Sequence, residues 1–249
     1  MSGRKFIGGT DLGACISYYR SDLAHFSPYQ TAADLWMRLV HETERPQTAA
    51  MKRGLDAEPR LRKAFLDAYG GAMEEHARPW RIMHPRLPYV GCSPDDVWSA
   101  SGVFGELSST RNCYVELKTA NWFTLYPPPG RPPTKWGDAE TDAVPPGYNL
   151  QVQLNLECLN LEQGFLFVGF GTDETDGDGT KRFLYRETRR YPIARDRELM
   201  ALALAYAEKF HTDHIATRMP PRCEPKDNLR LWKRLMKEQP WKATEATAQ

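Results

Sequence analysis

Long apolar runs are missing from this 249-residue chain. No window approaches the roughly 18 apolar residues that a membrane span needs, and Met1 to Thr10 has no apolar stretch of the kind a secretory signal carries. A cytoplasmic protein is expected. Paired cysteines are missing as well. Cys15, Cys92, Cys113, Cys158 and Cys223 stand singly with no CxxC spacing, which excludes a zinc ribbon, a disulfide framework and a cysteine-ligated cluster and leaves reduced thiols. Nor is there an excess of one charge: 33 Lys and Arg against 32 Asp and Glu give a net charge of +1, so any affinity for nucleic acid must come from local patches. No Gly/Ser-rich linker divides the chain, and one domain over residues 1–249 is expected, with a basic C-terminal extension at about 218–249.

What is present is ordinary globular material, 41% hydrophobic and 26% charged with a mean hydropathy of -0.60, enough for a core. Gly8-Gly9-Thr10-Asp11 leads into a short helix capped by Thr10 or Asp11, and Ser27-Pro28-Tyr29-Gln30-Thr31 precedes a second over roughly Ala32 to Val40. A third, from about Thr48 to Tyr69, carries Met51, Leu55, Leu61, Phe65 and Ala68 near helical spacing and ends at Gly70-Gly71. Between Pro79 and Lys118 the texture changes to a meander of short β-like runs, at 81–83, 89–92, 96–99, 103–107 and 113–119. Tyr126 to Gly147 is too proline-dense for regular structure and has the length of a functional loop. Tyr148 to Asn160 reads as a helix, Phe165–Phe170 and Phe183–Glu187 as a hairpin, and Ile193 to about Ile215 as a long helix. The segment from Arg218 to Lys242 is the most basic, with eight Lys/Arg against three Asp/Glu.

The informative unit is Ser93-Pro94-Asp95-Asp96-Val97, followed about twenty residues later by Val115-Glu116-Leu117-Lys118. On a strand, residues i and i+2 share a face, so Glu116 and Lys118 point the same way while Val115 and Leu117 face the core. A neighbouring strand end can bring Asp95 beside them. Two carboxylates on one spot repel unless a cation lies between them, and hard oxygen donors select Mg²⁺ or Mn²⁺ over zinc. Phosphodiester hydrolysis uses such a set, with a metal to polarise the phosphoryl group and activate water, and a lysine to orient that water and offset developing charge.

The ordered series Gly8-Gly9-Thr10-Asp11, Ser27-Pro28-Tyr29, Arg53-Gly54-Leu55-Asp56-Ala57-Glu58-Pro59, Ser93-Pro94-Asp95, Val115-Glu116-Leu117-Lys118 and Tyr148-Asn149-Leu150-Gln151-Val152-Gln153 resembles the YqaJ viral recombinase family, relatives of lambda exonuclease in the PD-(D/E)xK nuclease superfamily. The resemblance spans roughly Phe6 to Leu159. It implies an α/β fold with a restriction-endonuclease-like core, a mixed central sheet flanked by helices, and an exonuclease that degrades duplex ends 5′ to 3′ to leave 3′ overhangs. The metal ligands it implies are Asp95, Glu116, the Leu117 carbonyl and Glu58, for Mg²⁺ or Mn²⁺, with two ions. It further implies that Lys118 positions the nucleophilic water, that Gln153 steadies the site or the scissile phosphate, and that Thr10, Arg4, Arg53, Tyr148 and Gln151 contact DNA. Implied partners are duplex DNA ends, a single-strand annealing protein and further copies of the chain in a ring trimer. Where relatives often carry Gly after the catalytic Asp, this chain has Asp96.

Each residue also has a plainer reading. Glu116 and Lys118 fit a surface ion pair on an edge strand, Asp95 fits turn chemistry, and Glu58 fits a solvated helix face. Gln151 and Gln153 fit the polar side of a helix whose apolar positions are Leu150, Leu154 and Leu161. His211 and His214 lie one helical turn apart without a carboxylate and read as exposed; His84 has no assigned role. Asp173, Asp176 and Asp178 miss the spacing of a Ca²⁺ loop and read as a hairpin turn. The rivals to the exonuclease are a site- or structure-specific endonuclease on the same core, and a DNA-binding or defence-blocking module without catalysis.

Overall fold

The computed structural model describes residues 6–27, 30–43, 47–74, 80–102, 112–175, 177 and 181–222. Arg4, Pro28, Tyr29, the run expected at 103–107, Asp176, Asp178 and the basic segment from 223 onward lie outside them.

The first helix, α1 (Gly9–Tyr19), is preceded by Gly8 in extended conformation, and the Asp11 carboxylate reaches back to accept the Gly8 N–H at 2.7 Å. The cap is therefore Gly8, with Asp11 at the third helical position, rather than Thr10 or Asp11 as cap. Helix α2 (Ala32–Val40) begins with a reciprocal box in which the Thr31 hydroxyl accepts the Asp34 N–H and the Asp34 carboxylate accepts the Thr31 N–H. Helix α3 (Ala49–Tyr69) starts on the Thr48 hydroxyl, runs through Pro59 and stops at Gly70, whose φ of 66° suits a residue without Cβ.

Strands β1 (Ala72–Met73), β4 (Asp96–Ser99), β5 (Asn112–Asn121), β6 (Gln163–Thr175) and β7 (Lys181–Ala194) form one sheet in the order β1-β4-β5-β6-β7. Strands β5 and β6 are parallel and the other neighbours antiparallel, so the sheet is mixed. Strands β2 (Ile82–Met83) and β3 (Gly91–Cys92) pair separately, so the run of strands expected as one meander divides between two sheets. Helices α4 (Trp122–Leu125) and α5 (Pro146–Leu159) connect β5 to β6.

Alternation along β5 decides what each face meets. Cys113, Val115 and Leu117 pack with Leu61 and Phe65 of α3 and with Trp98 and Phe167. Tyr114, one residue out of step, packs with Val152 and Leu156 of α5 and with Leu125 of α4. The other side of α5 offers Leu150 and Leu154 to a third cluster, built from Leu12 and Ile16 of α1, Trp36 of α2 and Phe210 of α6 (Arg197–Phe210). Being covered on both sides, α5 has no wide polar stripe. The layers are thus α3, the sheet, α5 with α4, then α1, α2 and α6.

Strand β7 continues through Ala194, and α6 begins only after Asp196, whose carboxylate accepts the Leu199 N–H at 2.9 Å. Ile193, expected to open the helix, is instead a buried strand residue paired with Gly164. The irregular stretch 126–145 lies along the outer edge of β7. The Gly137 carbonyl accepts from Arg189 and the Tyr191 hydroxyl, and the Glu140 N–H donates to the Arg190 carbonyl at 2.8 Å. A strap of this kind satisfies the open edge of a sheet. No helix among the described residues is long and apolar enough to cross a membrane.

Candidate active site

The antiparallel register pairs Asp96 with Val115 and Val97 with Tyr114. One step before Asp96, Asp95 therefore comes level with Glu116, and its Oδ2 accepts the Leu117 N–H at 3.0 Å. Glu116 and Lys118 share the face of β5 that looks toward α5. There one Glu116 oxygen is met by both the Lys118 ammonium and the Gln151 side-chain amide. Glu116 is 1% exposed while Lys118 keeps a quarter of its surface, so the cation stands between a buried carboxylate and solvent.

Burial disfavours the charged form of Lys118, but the carboxylates of Glu116 and Asp95 outweigh it and hold the ammonium above the ordinary lysine range. Lys118 is thus a cation and a donor here, suited to orienting a nucleophile and balancing negative charge rather than to removing a proton. Tyr148 lies near enough to add to this effect, and its ring stacks on Trp136 of the strap at 5.3 Å.

Helix α1 reaches the same place. A Cβ on Gly9 would lie 2.8 Å from the Gln151 Cα, so only glycine lets α1 approach α5 here. The approach is fixed by Asp11, 3% exposed, which binds Arg38 at 2.5 Å and Gln30 at 2.7 Å besides the Gly8 N–H. Thr10 is exposed on the first turn of α1.

The other expected residues have these partners. Glu58 projects from α3, on the opposite face of the sheet, and accepts from Arg62 at 3.2 Å. The same guanidinium binds Asp96 at 2.8 and 3.0 Å, so Asp96 belongs to the α3 face and Asp95 to the α5 face. Gln153 is 2% exposed with both ends of its amide committed: Nε2 donates to the Ala194 carbonyl and Oε1 accepts the Asp196 N–H, each at 2.7 Å. It ties α5 to the β7–α6 junction. Arg53 pairs with Asp173 at 2.6 Å and lies over Phe183.

Two histidines, His211 and His214, correct the reading of the sequence, and a third, His84, gains a structural place. His84 is buried, its Nδ1 accepting the N–H groups of Arg86 and Leu87 while Nε2 lies 3.5 Å from Glu157. His211 stacks on Tyr89 at 3.6 Å and His214 packs edge-on against Tyr18, so both are partly buried ring contacts rather than exposed side chains. Sequence reasoning missed Arg62, although its place four residues after Glu58 is the spacing of a helical ion pair. The Asp11–Arg38–Gln30 cluster left no local signal, because its members lie on separate elements.

Oxygen donors dominate the site. Asp95, Glu116 and the peptide of Leu117 on adjacent strands are the hard ligands that Mg²⁺ or Mn²⁺ accepts. Among the described residues, no three Asp, Glu, His or Cys side chains stand close enough together to hold a metal ion. Asp95 and Glu116 offer two carboxylates to such an ion, with remaining positions for peptide oxygen, water or phosphate.

The mixed five-stranded sheet flanked by helices defines an α/β fold, with Asp95, Glu116 and Lys118 brought together where β4 meets β5. The family model of the YqaJ-like viral recombinase domain matches residues 4–162, and the chain belongs to that family. Among solved structures it is similar to an alkaline exonuclease from Laribacter hongkongensis, with a TM-score of 0.56 and 19% identity over 86% of this chain and 90% of that one. The same enzyme in complex with dAMP gives 0.56 and 20%, over 86% and 90%. A phage-related exonuclease from Haemophilus somnus 129PT gives 0.53 and 14%, over 86% of this chain and 96% of that one. At these identities the likeness is one of fold. No curated protein matches the chain in sequence.

Proposed function

We propose that this protein is a metal-dependent DNA exonuclease of the phage recombination type, acting 5′ to 3′ on duplex ends to leave 3′ overhangs. The observation that carries the reading is the meeting of Asp95, Glu116 and Lys118 on one face of β4 and β5, with Gln151 closing over Glu116. Family membership and the exonucleases that share the fold support it.

In this reading Asp95 and Glu116 would hold Mg²⁺ or Mn²⁺, with the Leu117 carbonyl as a further ligand. Bound metal supplies an acidified water and a polarised phosphoryl oxygen. The chain's own residues do the rest. The Leu117 N–H fixes the Asp95 carboxylate, Gln151 fixes Glu116, and the Lys118 ammonium would offset negative charge that builds on the oxygens of the attacked phosphate. Glu58, whose Oε1 accepts from Arg62, would offer its other oxygen to a metal centre or a second ion. Thr10, exposed on the first turn of α1, would meet a terminal phosphate in this reading. The family resemblance suggests an annealing protein and a ring of three copies as partners, and a domain of this length, with a radius of gyration of roughly 18 Å, is too small to encircle a duplex alone.

The test is digestion of linear duplex DNA labelled at either end, with Mg²⁺ and with EDTA. Release is expected from 5′ ends only, with no cutting of closed circles. Cleavage of closed circles identifies an endonuclease instead, and no cleavage of either substrate by folded protein with any divalent ion rejects the enzyme.

The Gly9 contact gives a finer expectation. Gly9→Ala must push α1 and α5 apart at Gln151, and displacements near 1 Å at a catalytic group cost up to about a hundredfold in rate. The single-turnover rate is expected to fall at least about tenfold while substrate affinity changes little. An unchanged rate would show that Gln151 does not govern Glu116.

A further inference from the structure

On the face of β5 that carries Glu116 and Lys118, the chain leaves the strand at Asn121 and forms α4. The Asn121 side chain accepts the Phe123 N–H at 2.9 Å, the Thr124 hydroxyl donates to the Asn121 carbonyl at 2.6 Å, and Leu125 is buried. This short turn is therefore fixed, yet Phe123 is 56% and Tyr126 48% exposed. Trp122 packs against Tyr126 with ring centroids 4.6 Å apart. From β7, the Arg186 guanidinium lies over Trp122 and that of Arg189 over Tyr126, each at 5.9 Å. Arg189 also donates to the Tyr126 hydroxyl and pairs with Glu187, and Arg186, half exposed, is 3.8 Å from Glu174.

Rings held rigid in solvent with guanidinium groups beside them suit a flat aromatic ligand attached to an anion. Asn121 is three residues beyond Lys118, about 10 Å along the strand, or about three nucleotide steps at the 3.4 Å spacing of a duplex strand. A base inside a duplex has both faces covered by its neighbours, so only an unpaired base can lie on an aromatic ring.

We propose that Trp122, Phe123 and Tyr126, with Arg186 and Arg189, form a stacking platform for an unpaired nucleobase within a few nucleotides of the phosphate at Glu116 and Lys118. The proposal rests on the nuclease reading for the position of that phosphate. It gives the protein a preference for frayed or flapped ends over fully paired ones. Phe123 supplies the open ring, Trp122 and Tyr126 pack on each other as a second pair of rings on the same turn, and the arginines over that pair draw the backbone that carries the base.

The experiment uses the full chain without divalent metal, so that nothing is cut, and duplexes whose ends carry unpaired 2-aminopurine, whose fluorescence is quenched on stacking. Wild-type protein is expected to quench the probe. Phe123→Ala should lose the quench and bind the frayed duplex at least about fivefold more weakly, with unchanged affinity for a blunt, fully paired end. Phe123→Trp should restore both. Because Phe123 is exposed, its variants are expected to melt with the wild type. Equal quenching and affinity in wild type and Phe123→Ala would overturn the platform, while end-labelled digestion by the same protein would leave the nuclease reading standing. Loss of the quench in Phe123→Ala, from a protein that never cuts DNA, would keep the platform and reject the nuclease.

Discussion

Replacing Lys118 by alanine is expected to lower the single-turnover rate of DNA cleavage by roughly a hundred to a thousandfold, the usual cost of one preorganised charge at a reacting centre. The geometry gives two reasons. Lys118 is held as an ammonium by Glu116 and Asp95 against the cost of its own burial, so its positive charge is available on the face where a phosphate would sit. It also shields Glu116, which is 1% exposed. A buried carboxylate that loses its counter-charge costs several kcal/mol unless another cation takes the place. Two measurements separate the effects. Thermal melting without metal should fall in Lys118→Ala and recover in Lys118→Arg, because the charge returns. The cleavage rate should stay low in both, because the broad planar guanidinium does not put its donors where a single ammonium was. A Lys118→Ala protein cleaving within about threefold of wild type would remove Lys118 from the chemistry, since a preorganised charge is worth far more than that.

How much of this was legible before any coordinates depends on the kind of signal. A strand repeats every two residues, so Glu116 and Lys118 on one face, with Val115 and Leu117 on the other, followed from spacing alone, and β5 carries them that way. Asp95 rather than Asp96 beside Glu116 followed from the same alternation, and the register agrees. The period within α3 was equally readable. Which face of the sheet that helix covers was not, because the crossing is decided by contacts between distant segments, and it brings Arg62 of α3 between Glu58 and Asp96. The two glutamines of α5 show the limit within a single element. Two residues turn a helix by about 200°, so Gln151 and Gln153 point nearly opposite ways, one to Glu116 and the other to the β7–α6 junction. The motif holds both residues but does not say which one faces the strand. The start of α6 was lost because Pro192-Ile193-Ala194 is as good a strand end as a helix start, although Asp196 three residues before Leu199 is an N-cap signal. The strap over β7 was readable as irregular from its prolines, while its anchoring through Trp136, buried among Tyr148, Phe170 and Tyr191, depended on the sheet being in place.

Asp95 and Asp96 are adjacent, identical in chemistry and on opposite faces, and the second large expectation exploits that. Asp96 is 3% exposed and is answered by Arg62, itself partly exposed. Arg62→Met takes from the Asp96 carboxylate its guanidinium partner inside the α3 face. Breaking a fully buried pair from one side costs about 3–5 kcal/mol. The exposure of Arg62 lowers the expected loss to about 2–3 kcal/mol, or roughly 5–10 °C in melting temperature for a chain of this size. Adding Asp96→Val should return most of it, because an apolar side chain at that position would share the face of Leu61, Phe65 and Trp98, and the charge that remains, Glu58, keeps access to solvent. Cleavage should fall less than about tenfold in Arg62→Met, since Asp95 is held from the other strand by the Leu117 N–H and a loss that small is short of removing a catalytic charge. Asp95→Asn should show the reverse, with cleavage lost by about a hundredfold or more and melting nearly unchanged. A melting temperature for Arg62→Met within about 2 °C of wild type would mean that water, not Arg62, satisfies Asp96. A rate loss in Arg62→Met as deep as that of Asp95→Asn would instead place Arg62, through Glu58, in the reacting centre itself.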